Sequence, residues 1–197
     1  MAQPMPQTPP RKLPFDPNVE SKANKVCRIV DHLVDALGGE PGCTLRRAVI
    51  LADIDEHPGT TQTAIIQRMK CDKSTTTRDI EWLCDYCCIR KKPGQDGRET
   101  LLFIEAYSKN SLDQALGYFN NSHKLLKNFL IQYINLFGQH KPTLRDAKIL
   151  AAVAAADPCN RQKVIQGLYN TPATTNNRAI NNLVELGILE KKGTIDA

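Results

Sequence analysis

The sequence predicts a mainly α fold with small β-wings, in which one supersecondary unit occurs twice and a long helix joins the two copies. Three observations carry this. Residues 44–52 read TLRRAVILA and residues 143–151 read TLRDAKILA, seven of nine positions being identical at a separation of 99. The echo continues in Gln67 and Gln166. After a one-residue slip between Cys71 and Thr75 it resumes, with Thr75, Arg78, Ile80, Leu83, Lys91 and Lys92 matching Thr175, Arg178, Ile180, Leu183, Lys191 and Lys192. Order and spacing of this kind mark an internal repeat. Each copy also carries apolar residues at helical spacing, and each ends in a short apolar stretch followed by lysines.

The elements follow in order. MAQPMPQTPPRKLPFDP is rich in proline and polar residues and has no apolar h-region, so residues 1–17 are expected to form a flexible tail and not a secretory signal. Val26, Ile29, Val30, Leu33 and Leu37 form a helical stripe that Gly38-Gly39 ends. In the first copy Thr44 is a candidate N-cap before Leu45, Ala48, Ile50, Leu51 and Ile54, and Pro58-Gly59 closes that helix. A second helix turns Ile65, Ile66 and Met69 inward. Asp72 caps a third, which is expected to bury Ile80, Leu83, Cys84 and Cys87. Ser111 and Gln114 read as a capping box opening a helix over 111–137, with Leu112, Leu116, Phe119, Leu126, Leu130, Tyr133 and Phe137 in one wide stripe. The second copy repeats the plan. Thr143 is its first cap, Asp157-Pro158 its first break and Val164, Ile165 and Leu168 its second helix. Thr171-Pro172 then caps a helix burying Ile180, Leu183 and Leu186. Its wing is short, with Lys191, Lys192 and Gly193 after the last apolar residues. Helix, turn, helix and basic hairpin is the winged helix-turn-helix order, so the fold expected is a tandem of winged helix-turn-helix modules. The domains expected are the tail at 1–17, a winged helix with flanking helices at 18–140, and a second module with a truncated wing at 141–197.

Composition narrows the function. Hydrophobic content of 41% and charged content of 24% are those of an ordinary globular protein, and the net charge of +5 permits an anionic partner without demanding one. No apolar run approaches the roughly 20 residues that span a bilayer. The seven cysteines are an odd number spread over 197 residues, which points to a reducing cytoplasm and not to a secreted disulfide scaffold. Cys84-x2-Cys87, with Cys88 beside it, has a spacing found at zinc sites, but a fourth ligand with a motif relation to it is lacking. Packing as small hydrophobes is the favoured reading, ahead of redox sensing and metal binding. No Walker loop, GxGxxG, HExxH or GxSxG occurs, and His32, His57, His123 and His140 are scattered. Neither an enzyme nor a cofactor is expected.

Residues 44–107 resemble the MarR family of bacterial winged-helix regulators. The carrying residues are the helix pair, then DKSTTTRDIEWL, whose Asp-Lys-Ser-Thr-x-Thr-Arg pattern matches the family's approach to the recognition helix. The hairpin IRKKPGQDGRETLLFIEAYSK follows, with Asp96-Gly97-Arg98 matching the Asp-x-Arg element of the family's wing. The resemblance implies a homodimer through helices 19–38 and 111–137. Two departures stand out. Where the family has a glycine between recognition helix and wing, copy two has Gly187 but copy one has Cys87. The second winged helix is also foreign to the family's plan, and would let one chain imitate the family's dimer.

An α-helix fits the major groove, and its first turn meets phosphates and base edges. Copy one offers Lys73, Ser74, Thr75, Thr77 and Arg78 there. Copy two offers Thr174, Thr175, Asn176, Asn177 and Arg178, with Asn181 one turn on. Arg78 and Arg178 are expected to touch bases or phosphates, and Thr77, Asn176 and Asn177 to read bases. Arg90, Lys91, Lys92 and Arg98 make the first wing basic, suited to a backbone or a minor groove. The function expected is a sequence-specific double-stranded DNA-binding transcription regulator with no membrane association. Its effector is not legible. Two other readings stay open at this stage: a replication-initiation or partition-type DNA-binding protein of a mobile element, and a winged-helix protein-interaction scaffold.

Overall fold

The computed structural model describes residues 21–95, 97–155, 161–166, 168 and 172–190. The tail, Asp96, Asp157-Pro158, Thr171, Lys191, Lys192 and Gly193 therefore lie outside the described residues. The fold is mainly helical with one three-stranded antiparallel sheet.

Helix α1 (Lys22–Ala36) begins where Ser21 Oγ accepts the amide of Asn24 at 3.1 Å and buries Ile29, Val30, Leu33 and Val34. Helix α2 (Leu45–Glu56) is buried on almost every side, as a central helix must be. Thr44 does not cap it: its Oγ1 is buried and unpaired. The amide of Leu45 instead donates to the Pro142 carbonyl at 3.0 Å, a cap supplied from about a hundred residues along the chain.

Strand β1 (Thr60–Thr61) leads into α3 (Gln62–Met69), where Thr61 Oγ1 accepts the amide of Ala64. Helix α4 (Lys73–Asp85) opens on the expected cap, with Asp72 Oδ1 accepting the amide of Thr75 at 2.8 Å. Strands β2 (Ile89–Pro93) and β3 (Thr100–Ile104) form the hairpin, and β1 pairs with β3 to give the order β1-β3-β2. Pairing of Ile89 with Ile104 and Thr60 with Leu102 fixes the register. Helix, short strand, two helices and a hairpin that takes up the short strand is the winged-helix arrangement.

The expected helix over 111–137 is two helices, and this corrects both the long joining helix and its capping box. Helix α5 (Ala106–Gly117) begins at Glu105, which places Ser111 in its interior. Asn120 and Asn121 take positive φ of 53° and 58°, breaking the helix, and Ser122 caps α6 (His123–Leu136) through the amide of Leu125. The apolar stripe survives because Leu112, Leu116, Leu126 and Leu130 all enter one core. These helices, expected to serve a homodimer, pack within the chain, α1 against α5 and α6 against α2, while Leu125, Ile131 and Leu136 of α6 stay exposed.

Helix α7 (Leu144–Ala155) starts with the box that α2 lacks. Thr143 Oγ1 accepts the amide of Asp146, and the Asp146 carboxylate accepts the Thr143 amide and hydroxyl at 2.8 and 2.7 Å. Copy one has Arg47 at the matching position and cannot form it. Helices α8 (Arg161–Gln166) and α9 (Ala173–Glu185) follow. No strand is assigned over 187–190. Leu144 and Ala147 belong to the first core, while Ile149 joins a second with Phe137, Val164, Leu168, Ile180 and Leu183. Helix α7 is thus shared between them, and it also packs on α1.

Three buried carboxylates tie the elements to α2. Asp53 receives Arg68 of α3 at 2.6 Å and Lys127 of α6 at 3.2 Å. Asp55 receives Lys109 of α5 at 3.0 Å and His123 of α6 at 2.8 Å. From α4, Asp79 receives Arg46 at 2.6 Å and Arg47 at 3.0 Å, and Arg47 also lies 4.2 Å from the centre of the Trp82 ring. Burial pushes the Asp53 carboxyl up, but hydrogen bonds from Arg68 and Lys127 outweigh it and hold the group below its ordinary 3.8. Its stabilising contribution is therefore present above that ordinary value and is lost as pH falls through the lower folded one. We predict that Asp53→Asn lowers stability by about 2–4 kcal/mol at neutral pH. The variant should also be less acid-sensitive than the parent below about pH 4; urea unfolding across pH checks both.

Cys87 is not on the buried face of α4. That helix ends at Asp85, Cys87 turns outward at φ 54°, and Cys88 is the buried sulfur. Gly187 holds the matching position at φ 69°. A left-handed side chain costs roughly 1–2 kcal/mol, which glycine avoids at some entropic cost. Cys87→Gly should thus raise stability by about 0.5–1 kcal/mol, read as a higher urea midpoint with unchanged slope.

Candidate nucleic-acid interface

The first turn of α4 carries most of the copy-one residues expected to bind. Lys73, Ser74 and Arg78 are exposed, while Thr75 and Thr77 are half-buried. Their polar groups are unequally available. Ser74 Oγ donates to Asp72 Oδ1 at 2.7 Å. Thr77 Oγ1 donates to the Lys73 carbonyl at 2.8 Å and accepts Gln62 Nε2 at 2.6 Å, so its hydroxyl is engaged by the domain. The Lys73 and Arg78 side chains reach solvent and form no hydrogen bond or ion pair among the described residues. Hydrogen bonds from Ser74 and the Thr75 amide lower the Asp72 carboxyl to about 2. Asp72 is thus an anion that already occupies the amide an incoming phosphate would use. Attraction for a polyanion at this helix end rests on the two free cations.

The hairpin adds Arg90, Lys91 and Lys92, all exposed on β2. Arg90 pairs with Glu105 at 2.9 Å, and Lys92 lies 5.3 Å from the centre of the Phe103 ring. Both partners are exposed enough for the Arg90 pair to be weak and exchangeable. Lys91 forms no ion pair among the described residues. Arg98 is exposed at the tip, where Gly97 takes φ 71°.

In copy two, Thr174, Arg178 and Asn181 are exposed and Thr175 is half-buried. Asn176, expected to read bases, is 1% exposed. It holds the inward position that Thr76 takes in α4, itself 1% exposed, because both fall on the face that carries Ile80 or Ile180 one turn later. Asn177 is also less free than expected. Its Oδ1 accepts Arg161 Nε at 2.8 Å, and Arg161 Nη2 reaches Asn181 Oδ1 at 3.0 Å. Arg161 thus does for α9 what Gln62 does for α4. The sequence analysis missed both residues, although they stand 99 apart, the repeat's own separation.

Among the described residues the cysteines form no cluster of three or more ligands. Burial, partly offset by Ser108, pushes the Cys88 thiol up to about 11. Burial, partly offset by Arg47, pushes Cys43 up to about 12, and burial also raises Cys84. Thiols held protonated are poor nucleophiles and poor ligands. Asp53, Glu56 and His57 bring ligand atoms within 4.8 Å of one another, but Arg68 and Lys127 already neutralise the Asp53 carboxylate. No helix among the described residues is long and apolar enough to cross a membrane.

No family model matches the chain, and no curated protein does. Among solved structures it is similar to the crystal structure of the transcriptional regulator SlyA, with 16% identity and a TM-score of 0.39, over 80% of this chain and 93% of that one. At that identity and score the likeness carries no argument about what the chain does.

Exposure separates the thiols cleanly. Of the described cysteines, Cys87 should be alkylated first by iodoacetamide in the native chain, with Cys43 and Cys88 protected until unfolding. Peptide mass mapping over time checks the order.

Proposed function

We propose that the chain is a sequence-specific double-stranded DNA-binding transcription regulator that uses paired winged helices, similar in its first module to the MarR family. The observation that carries this is the state of the α4 helix start: its caps are satisfied internally, while Lys73 and Arg78 project into solvent, with no ion pair among the described residues, beside a wing bearing Arg90, Lys91 and Lys92. A helix end of this kind suits the major groove, and a basic hairpin suits the adjoining backbone. In the second module Arg178 and Thr174 are the solvent-facing counterparts at the start of α9, with Asn181 one turn further. The chemistry proposed is binding without catalysis.

Within this reading α4 and its wing supply most of the charge, and α9 supplies mainly polar contacts. Copy two then adds discrimination more than strength. Deleting it cannot test this, because Leu144 and Ala147 complete the first core; surface substitutions must be used. Arg78→Ala should weaken binding to a selected site by about 1–3 kcal/mol if it reads a base. Lys91→Ala should weaken all duplexes alike and lower the salt slope by about one. Fluorescence anisotropy on selected and scrambled duplexes over a salt series separates the two. Salt-independent binding, or unchanged affinity in both variants, would remove the DNA reading and leave a protein-interaction scaffold.

A further inference from the structure

The contact between the two copies has a symmetry of its own. Leu45 N donates to Pro142 O at 3.0 Å and Leu144 N donates to Cys43 O at 2.9 Å, forming the antiparallel bridge between Thr44 and Thr143. Leu45 and Leu144 are matching residues of the repeat, as are Cys43 and Pro142. Exchanging the copies turns one bond into the other. This is the reciprocity of an isologous two-fold contact, made here inside one chain.

The packing obeys the same exchange. Helix α6 precedes α7 as α1 precedes α2, and α1 packs on α7 while α6 packs on α2. Neither leading helix packs extensively on the helix that follows it in sequence, so the copies have traded their leading helices. At a separation of 100, Val26, Ile29, Val30, Val34 and Leu37 match Leu126, Phe129, Leu130, Ile134 and Phe137, and Gly38 at φ 71° matches Gly138 at φ 59°. The repeat is therefore a four-helix unit. Inside each unit the third and fourth helices keep one arrangement. Ile65 and Val164, Thr76 and Asn176, Ile80 and Ile180, and Leu83 and Leu183 are all buried, and Gln62–Thr77 answers Arg161–Asn177.

From this we infer that a single chain offers α4 and α9 to one duplex as a two-fold-related pair, recognising two unlike half-sites in inverted orientation. The inference rests on the DNA-binding reading above. A protein dyad imposes a matching dyad on the DNA it grips, with half-sites spaced by about one helical turn of roughly 10 bp or its multiples. The half-sites must differ because the facing side chains do: Lys73 and Thr77 stand where copy two has Ala173 and Asn177.

The test is selection of duplexes from a randomised library by the full-length chain, followed by native mass spectrometry of the chain alone and with the selected duplex. The expected result is an enriched motif of two different arms in inverted orientation, bound by one chain per duplex, the free chain being a monomer. Arg78→Ala and Arg178→Ala should each erase the preference in a different arm while leaving the other. Direct repeats, a single arm, or two chains per duplex would overturn the inference and leave the DNA reading standing. A free dimer, through the exposed Leu125 and Leu136 of α6 for example, would overturn it too. Enrichment of no sequence at all would overturn both.

Discussion

The structure depends on how α2 is held. This helix is almost wholly buried, yet it carries Asp53 and Asp55 inside and Arg46 and Arg47 at its start. The charges are answered from four surrounding helices: α3 and α6 at Asp53, α5 and α6 at Asp55, α4 at the two arginines. A buried ion pair adds little net stability over apolar side chains of the same volume, but losing one partner is costly. What such pairs supply is position. Through Asp79 helix α4 is fixed to α2, and through Arg68, whose Nη2 also reaches Thr60 at 2.7 Å, the sheet edge is fixed to the same helix. The solvent-facing side of α4 can therefore keep Lys73 and Arg78 exposed, because the anchoring charges lie on the buried side.

Copy two keeps the helices but not this anchor. Asp79 and Trp82 become Ala179 and Asn182, and Arg47 becomes Asp146, which turns to capping its own helix. Three of the four partners change together. Arg145, matching Arg46, retains the cation without its carboxylate, and its Nε is buried and unpaired. Such a group carries a desolvation cost of about 1–3 kcal/mol. Helix α9 is steadied by Arg161 from its polar side. Holding a helix by residues on its reading face constrains what that face can read. Asn177, with Oδ1 accepting from Arg161, presents mainly donors outward, whereas bidentate pairing with adenine uses both donor and acceptor.

Much of this was legible in the sequence, and the exceptions share a cause. The Asp72 cap and the Pro58-Gly59 break are local signals, and local chemistry decides them. The split between α5 and α6 was hidden because the apolar stripe runs through the break without losing phase. Only the left-handed Asn120-Asn121 pair interrupts the backbone, and asparagines are equally at home on an exposed helix face. Thr44 matches Thr143 in type, but Arg47 stands where Asp146 completes the second copy's box, and the first helix is capped instead by a backbone carbonyl from the other copy. The kinship of α1 and α6 was invisible to residue matching, since Val26 against Leu126 and Ile29 against Phe129 preserve apolar character and not identity. In the candidate interface, exposure at a helix start was readable from position. Which hydroxyls and amides were already engaged was not, because Gln62 and Arg161 act from a neighbouring helix.

The internal two-fold changes what substitutions can do. In a homodimer any change in a recognition helix appears in both half-site readers at once, so the two arms stay alike. Two copies in one chain are released from that constraint, while the bridge at Thr44 and Thr143 and the exchanged α1 and α6 keep their relation fixed. Beside the lost anchor, part of the divergence lies where such freedom would place it. The paired core positions Leu45 and Leu144, Ile50 and Ile149, Ile80 and Ile180, and Leu83 and Leu183 are unchanged in type. The outward positions at the helix starts have moved from lysine and threonine to alanine and asparagine. A fixed frame with unlike readers is the arrangement that a non-palindromic pair of half-sites requires.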